Sequence, residues 1–326
     1  MANLQLEFTG YEYWDRSLEI IRGSVKPKGI DLTFQPAPRD LFERQIKEAV
    51  FPASEMSTSF LTMMHSRGDT RLLGLPIFTA RDFFHSRIFI RSEAGIGKPD
   101  DLKGRRIGFP DYQMTAAVWI RGLMHHEFGV SARDAQWFQG GFEQPGYLQR
   151  IPMDLPPDIS VTTIPQDKSI TGMLLAGEID AVAGPNPPQA FLKGDARVQR
   201  LFPDYREAEK AYYRKARLFP ASHIVVIRRD LYQEHPWVAS ALLDAFTEAR
   251  DAGWKALQWV RILSLPWLAN DLEEMRDVFG DEHPYPYGFK GSKITVDALT
   301  QYLYEQGITK RQVDPTELFP KEVLDT

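Results

Sequence analysis

Residues 109–122, FPDYQMTAAVWIRG, join the end of a predicted strand to the start of a predicted helix. The strand-like run 105–109 stops at Pro110, and apolar residues then recur at helical spacing at positions 116, 119, 120 and 123. A helix that follows a parallel strand points its N-terminal N–H groups and partial positive charge towards the ligand side of the sheet. We therefore expect the helix at 113–128 to face a bound anion. The alternative is that Asp111 or Thr115 only caps this helix.

Composition limits the classes of protein to consider. The chain has 326 residues, 43% of them hydrophobic, which is enough for two lobes of roughly 150 residues each. It has no cysteine, which excludes disulfides, thiolate metal sites and cysteine nucleophiles. A net charge of -5 argues against nucleic acid as a partner, because phosphate binding needs a basic field. A few local arginines can still hold a small anionic ligand.

The N-terminal residues 1–17 contain no basic segment followed by an apolar stretch of signal length. No apolar run in the sequence approaches the ~20 residues of a membrane helix. We therefore expect a cytoplasmic protein with no membrane partner.

Short β-rich runs alternate with longer helical patterns, which favours an α/β fold with largely parallel sheets. Two long β runs, 83–91 and 221–228, are interpreted as crossings between two lobes. Lobe 1 would comprise 1–84 and 222–326, and lobe 2 would comprise 85–221. Turns at 10–16, 53–58 and 110–115 would then meet in an interlobe cleft, where open α/β sheets bind ligands.

Two sets of motifs carry a family likeness. The runs 101–108 (DLKGRRIG) and 176–181 (AGEIDA) resemble lobes of type II periplasmic binding proteins. More specific are SEMS (54–57), YQMTAAVWIRG (112–122), FQGG (138–141), LPP (155–157), LFPD (201–204), HIVVIR (223–228), LPW (265–267) and EQG (305–307). In this order and spacing, and over nearly the whole chain, the sequence resembles the 4,5-dihydroxyphthalate decarboxylase family.

The resemblance implies a two-lobed α/β fold of the periplasmic-binding-protein type II class, with two hinge crossings. It also implies a carboxy-lyase that removes one carboxyl group from a dihydroxylated aromatic diacid. Segments 186–190, 219–223 and 288–293 depart from the family pattern, which leaves the particular substrate open. The expected partner is a small aromatic carboxylate, and association into a homo-oligomer stays open.

Loss of CO2 from an aromatic ring is easiest after the ring carbon has been protonated. The reaction needs a proton donor above that carbon, a base for the phenol, and cations for the remaining carboxylate. It requires no metal and no organic cofactor, and we expect neither.

Three residues are the catalytic candidates. His85 and His223 each lie at or near a predicted crossing strand and match the family pattern, and histidine exchanges protons near neutral pH. Their alternative role is a hydrogen-bonded hinge residue. Glu55 lies among small and apolar residues, where desolvation would raise its pKa and let it act on the phenol. Its alternative is an ordinary carboxylate at a helix start.

Arg16 and Arg81 match family positions and are the preferred cations, since an arginine fork pairs with a carboxylate at two points. Arg87 is a weaker choice that would share a strand face with His85. Each arginine could instead form a solvated salt bridge. Ser54 and Ser57 could instead cap a helix, and Tyr112 could simply pack in the core. The remaining substrate-binding candidates are Ser54, Ser57, Tyr112, Asn186 and the backbone donors Gln113, Met114 and Thr115.

The sequence His125-His126-Glu127 is interpreted as surface, because neighbouring helical residues point about 100° apart and no second ligand pair matches their spacing. The second functional hypothesis is a solute-binding protein or sensor for an aromatic carboxylate, without turnover. A third is another lyase or synthase on this fold, although the lack of cysteine does not fit thiamin pyrimidine synthases.

Overall fold

The computed structural model describes residues 2–147, 150–280 and 283–326. Contacts divide the chain into two compact units. Unit 1 contains Met1–Arg81, Ala221–Asp297 and Asp314–Thr326, and unit 2 contains Asp82–Pro220 and Ala298–Val313.

The strands are β1 (Leu4–Gly10), β2 (Ile30–Pro36), β3 (Ala53–Ser57), β4 (Leu72–Arg81), β5 (Ile88–Arg91), β6 (Arg106–Phe109), β7 (Gln136–Gln139), β8 (Val161–Thr163), β9 (Ala181–Ala183), β10 (Val198–Arg200) and β11 (Ala221–Arg228). The α-helices are α1 (Leu18–Ile21), α2 (Leu41–Glu48), α3 (Thr58–Ser66), α4 (Thr115–Phe128), α5 (Ile170–Leu175), α6 (Gln189–Leu192), α7 (Tyr205–Ala216), α8 (Arg229–Glu234), α9 (Val238–Leu257), α10 (Leu268–Phe279) and α11 (Phe289–Glu305).

Unit 1 is built on a five-stranded sheet with the order β2-β1-β3-β11-β4. Strand β1 pairs in parallel with β2 and β3, whereas β11 runs antiparallel between β3 and β4. Residues 224–227 of β11 are fully buried, and such a continuous apolar run is typical of a strand that is covered on both faces. Helix α3 packs on β11, and α9 packs on β4 and α1.

Unit 2 is built on a six-stranded sheet with the order β10-β5-β9-β6-β7-β8. Strand β6 is parallel to β7 and β9, and β5 is antiparallel to β9 and β10. The hydrophobic core beside this sheet includes Phe89, Ile170, Leu174, Ile179 and Val182.

Helix α4 packs closely against the C-terminal half of α11, whose residues 298–305 belong to unit 2. A Cβ atom at Gly122 would lie 2.0 Å from Cδ2 of Tyr302, so only glycine leaves room for that ring. The Tyr302 ring also meets Trp119 edge-on, with ring centroids 5.5 Å apart. Because of this packing, residues 298–313 cluster with unit 2 and not with the first lobe, where the sequence analysis placed them. The chain therefore passes between the units at four points.

The predicted strand at 221–228 is confirmed as β11 with the same bounds, and the helix predicted at 113–128 is confirmed as α4, which begins two residues later. The predicted strand at 83–91 is wrong in its first half. Residues His85–Arg87 form a 3-10 helix, and only Ile88–Arg91 pair as β5. Phe83 packs instead against Phe219, with ring centroids 4.7 Å apart. Arg87 consequently does not share a strand face with His85.

The turn predicted at 53–58 is also displaced, because residues 53–57 form strand β3 and α3 begins at Thr58. Ser54 and Glu55 are therefore interior strand residues, and Glu55 is not a carboxylate at a helix start. Among the residues that the structure describes, no helix combines the length and the apolar character that a bilayer span requires.

Candidate active site

Glu55 lies in the middle of the unit 1 sheet and is 1% exposed. One carboxylate oxygen, Oε2, accepts the backbone N–H of Tyr11 at 2.8 Å, and Oε1 accepts the hydroxyl of Thr79. A Cβ atom at Gly10 would lie 3.3 Å from Cγ of Glu55 and 2.7 Å from Cε1 of Phe8. Burial raises the pKa of Glu55 from 4.5 to about 7, because the loss of hydration outweighs the hydrogen bonds to the charged form.

Tyr13 donates a third hydrogen bond to the Glu55 carboxylate, which acts to lower the pKa of Glu55. Burial, followed by the nearby Glu55 charge, raises the pKa of the Tyr13 phenol well above its usual value. The backbone carbonyl of Tyr13 accepts the N–H groups of Ser17 and Leu18 at 3.0 and 3.1 Å. This turn at the start of α1 therefore fixes the backbone of Tyr13.

Arg16 provides a half-buried positive charge near this carboxylate. Its guanidinium carbon lies 4.5 Å from the ring centroid of Tyr13 and 4.3 Å from that of Tyr285. It forms an ion pair with Asp15 at 3.2 Å. Its buried Nε has no hydrogen-bond partner within the described part of the chain. The group is thus held in place with one donor unused. We refer to Tyr13, Arg16, Glu55, Thr79 and Tyr285 as the Glu55 cluster.

Residues 283–287 complete the surroundings of Arg16. Arg250 donates to the Tyr285 carbonyl at 2.9 Å, and its guanidinium lies 4.8 Å from the Tyr287 ring centroid. His283 Nδ1 accepts the N–H of Tyr285 at 2.9 Å, and burial lowers the pKa of His283 to about 4. The polar groups in this segment hold the aromatic rings in fixed orientations.

His223 lies on the same face of the sheet as Glu55. It is paired with Ser57 across β11 and β3, and Val225 is paired with Glu55; directly paired residues share a face. The imidazole stacks on Tyr11 with centroids 5.7 Å apart and meets Phe42 edge-on at 4.9 Å. Burial lowers the pKa of His223 to about 4, so the ring is neutral at pH 7. Its Nδ1 is buried without a partner among the described residues.

His85 belongs to unit 2, so the two predicted histidines lie in different units. It begins the 3-10 helix and meets the rings of Phe202 and Tyr212 edge-on, at 5.2 and 5.4 Å. Burial lowers the pKa of His85 to about 4. Its Nδ1 has no hydrogen-bond partner in the described ranges.

The other two predicted cations have partners within the protein. Arg81 is buried and donates to the hydroxyls of Ser292 and Thr295 at 3.1 and 3.2 Å. It thereby anchors the first half of α11, which lies in the same unit. Arg87 forms an ion pair with Asp82 at 2.6 Å.

The two serines are on opposite faces of β3. The Ser54 hydroxyl donates to the Glu55 backbone carbonyl at 3.1 Å. The Ser57 hydroxyl lies 3.2 Å from that of Ser59 and does not cap α3.

The turn before α4 differs from the prediction. Met114 is the N-cap residue, and no side chain caps this helix. Asp111 is not a cap, because its carboxylate accepts the N–H of Gln113 at 2.7 Å and its carbonyl accepts that of Met114 at 3.3 Å. The backbone N–H groups of Gln113 and Met114 were expected to donate to a ligand, but here they donate to Asp111 within the turn. Thr115 is the first residue of the helix and is buried.

Tyr112 is a core residue, with only 1% of its surface exposed. The Arg121 guanidinium covers its ring at 3.6 Å, and its hydroxyl donates to the Gln306 carbonyl at 3.3 Å. Arg121 also donates to the Gln306 side chain at 2.8 Å, and burial lowers the pKa of Arg121 to about 10. Asn186 is exposed in the turn that follows β9.

The sequence analysis did not single out Tyr13, Thr79 or Tyr285. The turn at 10–16 was placed at the ligand side of the sheet, which was the available signal for Tyr13. Thr79 meets Glu55 through the pairing of strands in the sheet, and Tyr285 meets Arg16 through the segment 283–287.

No family model matches the chain. It is 34% identical to 4,5-dihydroxyphthalate decarboxylase of Comamonas testosteroni, over all of this chain and 99% of that protein. It is 37% identical to the enzyme of the same name from Pseudomonas putida, over 60% of this chain and 76% of that protein.

Solved structures show the fold. The aliphatic sulphonate-binding protein SsuA of Escherichia coli aligns with a TM-score of 0.55 and 13% identity, covering 100% of both chains. The alkanesulfonate-binding protein of Xanthomonas axonopodis pv. citri aligns with a TM-score of 0.53 and 14% identity, covering 98% of this chain and 99% of that one. The predicted two-lobed α/β fold of the periplasmic-binding-protein class is confirmed. Within that fold class, the chain belongs to the 4,5-dihydroxyphthalate decarboxylase family, whose named members are carboxy-lyases.

Proposed function

We propose that this protein removes one carboxyl group from a hydroxylated aromatic acid such as 4,5-dihydroxyphthalate, by protonation of a ring carbon followed by loss of CO2. We infer the reaction class, decarboxylation, from the family to which the chain belongs. The observation that carries the mechanism is a carboxyl group, Glu55, whose pKa of about 7 lets it hold a proton at neutral pH.

The reaction balances without an external oxidant or reductant. The proton forms a C–H bond at the ring carbon that bears the carboxylate, and the phenol gives up its proton to a base. The C–C bond to the carboxylate then breaks, its electron pair restores the aromatic ring, and CO2 leaves. The base returns its proton to the phenolate oxygen, and the donor regains a proton from water.

The pKa values favour Glu55 over either histidine as the proton donor. A group with a pKa of about 7 is roughly half protonated at pH 7, whereas an imidazole with a pKa of about 4 carries its second proton in about one molecule in a thousand. Neutral His223, on the Glu55 face of the sheet, is suited to accept the phenol proton. From the sequence, each histidine was a candidate donor or base and Glu55 was expected to act on the phenol, so the role of Glu55 differs in this assignment. For His85, in unit 2, the same low pKa favours a base or a hydrogen-bond acceptor.

Arg16 is suited to hold the carboxylate that remains on the ring. It is charged and half-buried, and its buried Nε has no hydrogen-bond partner among the described groups. A guanidinium held between two aromatic rings needs little reordering before it forms a two-point pair with a carboxylate. Arg81 and Arg87 are weaker candidates because each already has partners. Catalysis without a metal or organic cofactor, a cytoplasmic location and self-association stay predictions.

The test is incubation of the purified chain with 4,5-dihydroxyphthalate, with phthalate as the control that lacks hydroxyl groups. We expect CO2 and 3,4-dihydroxybenzoate from the first compound and no reaction of the second. In D2O, deuterium should appear at the ring position that lost its carboxyl group. Glu55→Gln should abolish turnover, whereas Glu48→Gln, at an exposed position of α2, should not.

The competing hypothesis is a solute-binding protein or sensor. The sulfonate-binding neighbours share the fold at 13% and 14% identity, which does not favour that function here. Tight binding of hydroxylated aromatic acids without any product over hours would contradict the proposed decarboxylation.

A further inference from the structure

Two histidines and a glutamate meet on the surface of unit 2. His125 and His126 lie in the last turn of α4, and Glu305 is the last residue of α11. The Nε2 atom of His126 lies 2.8 Å from Oε2 of Glu305, and Nδ1 of His125 lies 3.7 Å from the same oxygen. All three ligand atoms lie within 4.8 Å of one another.

His125 and His126 were interpreted from the sequence as surface residues, and both are exposed. Adjacent helical side chains do leave the helix in different directions. Here the two rings turn towards a common carboxylate, with centroids 4.9 Å apart. The third ligand is 179 residues away from His126 in the sequence, so spacing alone could not reveal it.

The neighbouring residues orient two of the three groups. Gln301 donates to Oε1 of Glu305 at 2.7 Å and so fixes the carboxylate with Oε2 towards the histidines. The His126 ring stacks on Tyr302 with centroids 4.7 Å apart and planes 25° apart. Hydrogen bonds from outside the ligand set are a regular feature of metal sites, because they hold a ligand in its binding orientation.

We propose that His125 Nδ1, His126 Nε2 and Glu305 Oε2 bind one divalent transition-metal ion, with Zn²⁺ as the best match. Two imidazoles and one carboxylate are ligands that Zn²⁺ prefers, and water would complete the tetrahedron. Metal–ligand bonds of about 2.0–2.1 Å place tetrahedral ligand atoms about 3.3 Å apart. The two measured separations, 2.8 and 3.7 Å, lie on either side of that value.

The surroundings admit an ion. A cavity of about 370 Å³ is lined by His125, Glu305, Arg133 and Lys310, among others. The two cations of this lining are paired with carboxylates, Arg133 with Asp158 and Lys310 with Asp154. Their charges are therefore partly neutralised, which reduces repulsion of a metal ion.

The bound ion would fasten the end of α4 to the end of α11, since the ligands come from both helices. The site shares no residue with the proposed decarboxylase machinery, so either proposal can fail without the other.

The test is isothermal titration calorimetry of Zn²⁺ binding to the chain without a polyhistidine tag. It measures the affinity and the number of ions bound per chain. We expect one ion per chain, and an affinity about a hundredfold lower in His126→Ala and in Glu305→Gln, because each removes a ligand. The matched control is His235→Ala, which removes a surface histidine 3.6 Å from a single carboxylate, that of Glu234, and should change nothing. Co²⁺ should give the visible absorption of a tetrahedral complex with the wild type and not with His126→Ala.

Unchanged Zn²⁺ affinity in both His125→Ala and His126→Ala would overturn the proposal, as would the absence of binding to the wild type. Circular dichroism of each variant checks that it is folded. Both histidines are exposed, so the two alanine variants keep the test decisive even if Glu305→Gln does not fold.

Discussion

The phenol of Tyr13 donates a hydrogen bond to the carboxylate of Glu55 in unit 1, and Glu55 is buried whereas Tyr13 is half-buried. The bond favours the charged form of Glu55, whereas burial favours the neutral form by a larger amount. The balance leaves the pKa of Glu55 at about 7. A carboxyl group with a pKa near 7 can both donate and accept a proton near neutral pH.

The first prediction concerns stability. The folded pKa of Glu55 is raised, so its contribution to the free energy of unfolding is present below pH 4.5 and is lost as the pH rises through about 7. Glu55→Gln removes this dependence, and its stability relative to the wild type should increase by about 3 kcal/mol between pH 4 and pH 8. Urea unfolding of both proteins at several pH values measures the difference.

Taking the difference between the two proteins is necessary because histidines act in the opposite direction. The pKa values of His85, His223 and His283 are lowered to about 4, so their contributions are lost as the pH falls from 6.5 to 4. If the difference in the free energy of unfolding between the wild type and Glu55→Gln does not change with pH, then Glu55 does not have the raised pKa described above.

The second prediction concerns the pH dependence of turnover. Tyr13→Phe removes a hydrogen bond that lowers the pKa of Glu55, so the pKa should rise. If Glu55 must be protonated, the alkaline limb of kcat/KM then moves to higher pH. Tyr304→Phe, at an exposed tyrosine, is the control. A lower rate in Tyr13→Phe with no displacement of the limb would mean a purely structural role for Tyr13.

The third prediction concerns substrate affinity. Arg16→Lys keeps the charge and loses the two-point fork, so KM should rise about 10- to 100-fold with a smaller change in kcat. The pH profile should stay in place because the positive charge beside Glu55 is retained. Arg22→Lys, at an exposed arginine, should leave KM unchanged. An unaltered KM in Arg16→Lys would remove Arg16 from the substrate site.

The fourth prediction separates catalysis from binding at the histidines. His223→Ala and His85→Ala should each lower kcat about a hundredfold, and substrate binding should weaken much less. Rapid-quench turnover and equilibrium titration measure the two effects, with His235→Ala as the control. Wild-type turnover in both variants would refute their catalytic assignment.

The fifth prediction tests the packing of α4 on α11. Gly122→Ala places a methyl group 2.0 Å from the Tyr302 ring and should destabilise the chain by about 2 kcal/mol. Gly97→Ala is the control, since the nearest atom to its Cβ is a side-chain oxygen at 3.8 Å. Equal melting temperatures for the two variants would show that the Tyr302 ring can move away at no cost.

The sequence predicted elements well where one physical signal dominates. Strand β11 contains a continuous apolar run, and α4 has apolar residues at helical spacing, so burial decides both. The prediction failed at residues 83–91, because aromatic residues with high β propensity can equally pack in a local cluster, as Phe83 does on Phe219.

The site was predictable in part. Glu55 was selected from its apolar surroundings, and the structure gives it the expected raised pKa. Its partners are Tyr11, which follows β1, and Thr79, which lies in β4. Contacts between residues so far apart in the sequence cannot be predicted from residue spacing. The expected cap at Asp111 failed because an Asp side chain can close its own turn as readily as it caps a helix.

The missing side chain of Gly10 has a practical consequence. A Cβ atom at this position would lie 2.7 Å from the Phe8 ring and 3.3 Å from Cγ of Glu55, so a larger residue would displace both side chains. If random variants are selected for activity at a different pH, we therefore expect substitutions at position 10. A larger residue there would change the surroundings of Glu55, and so its pKa, while the carboxyl group is kept.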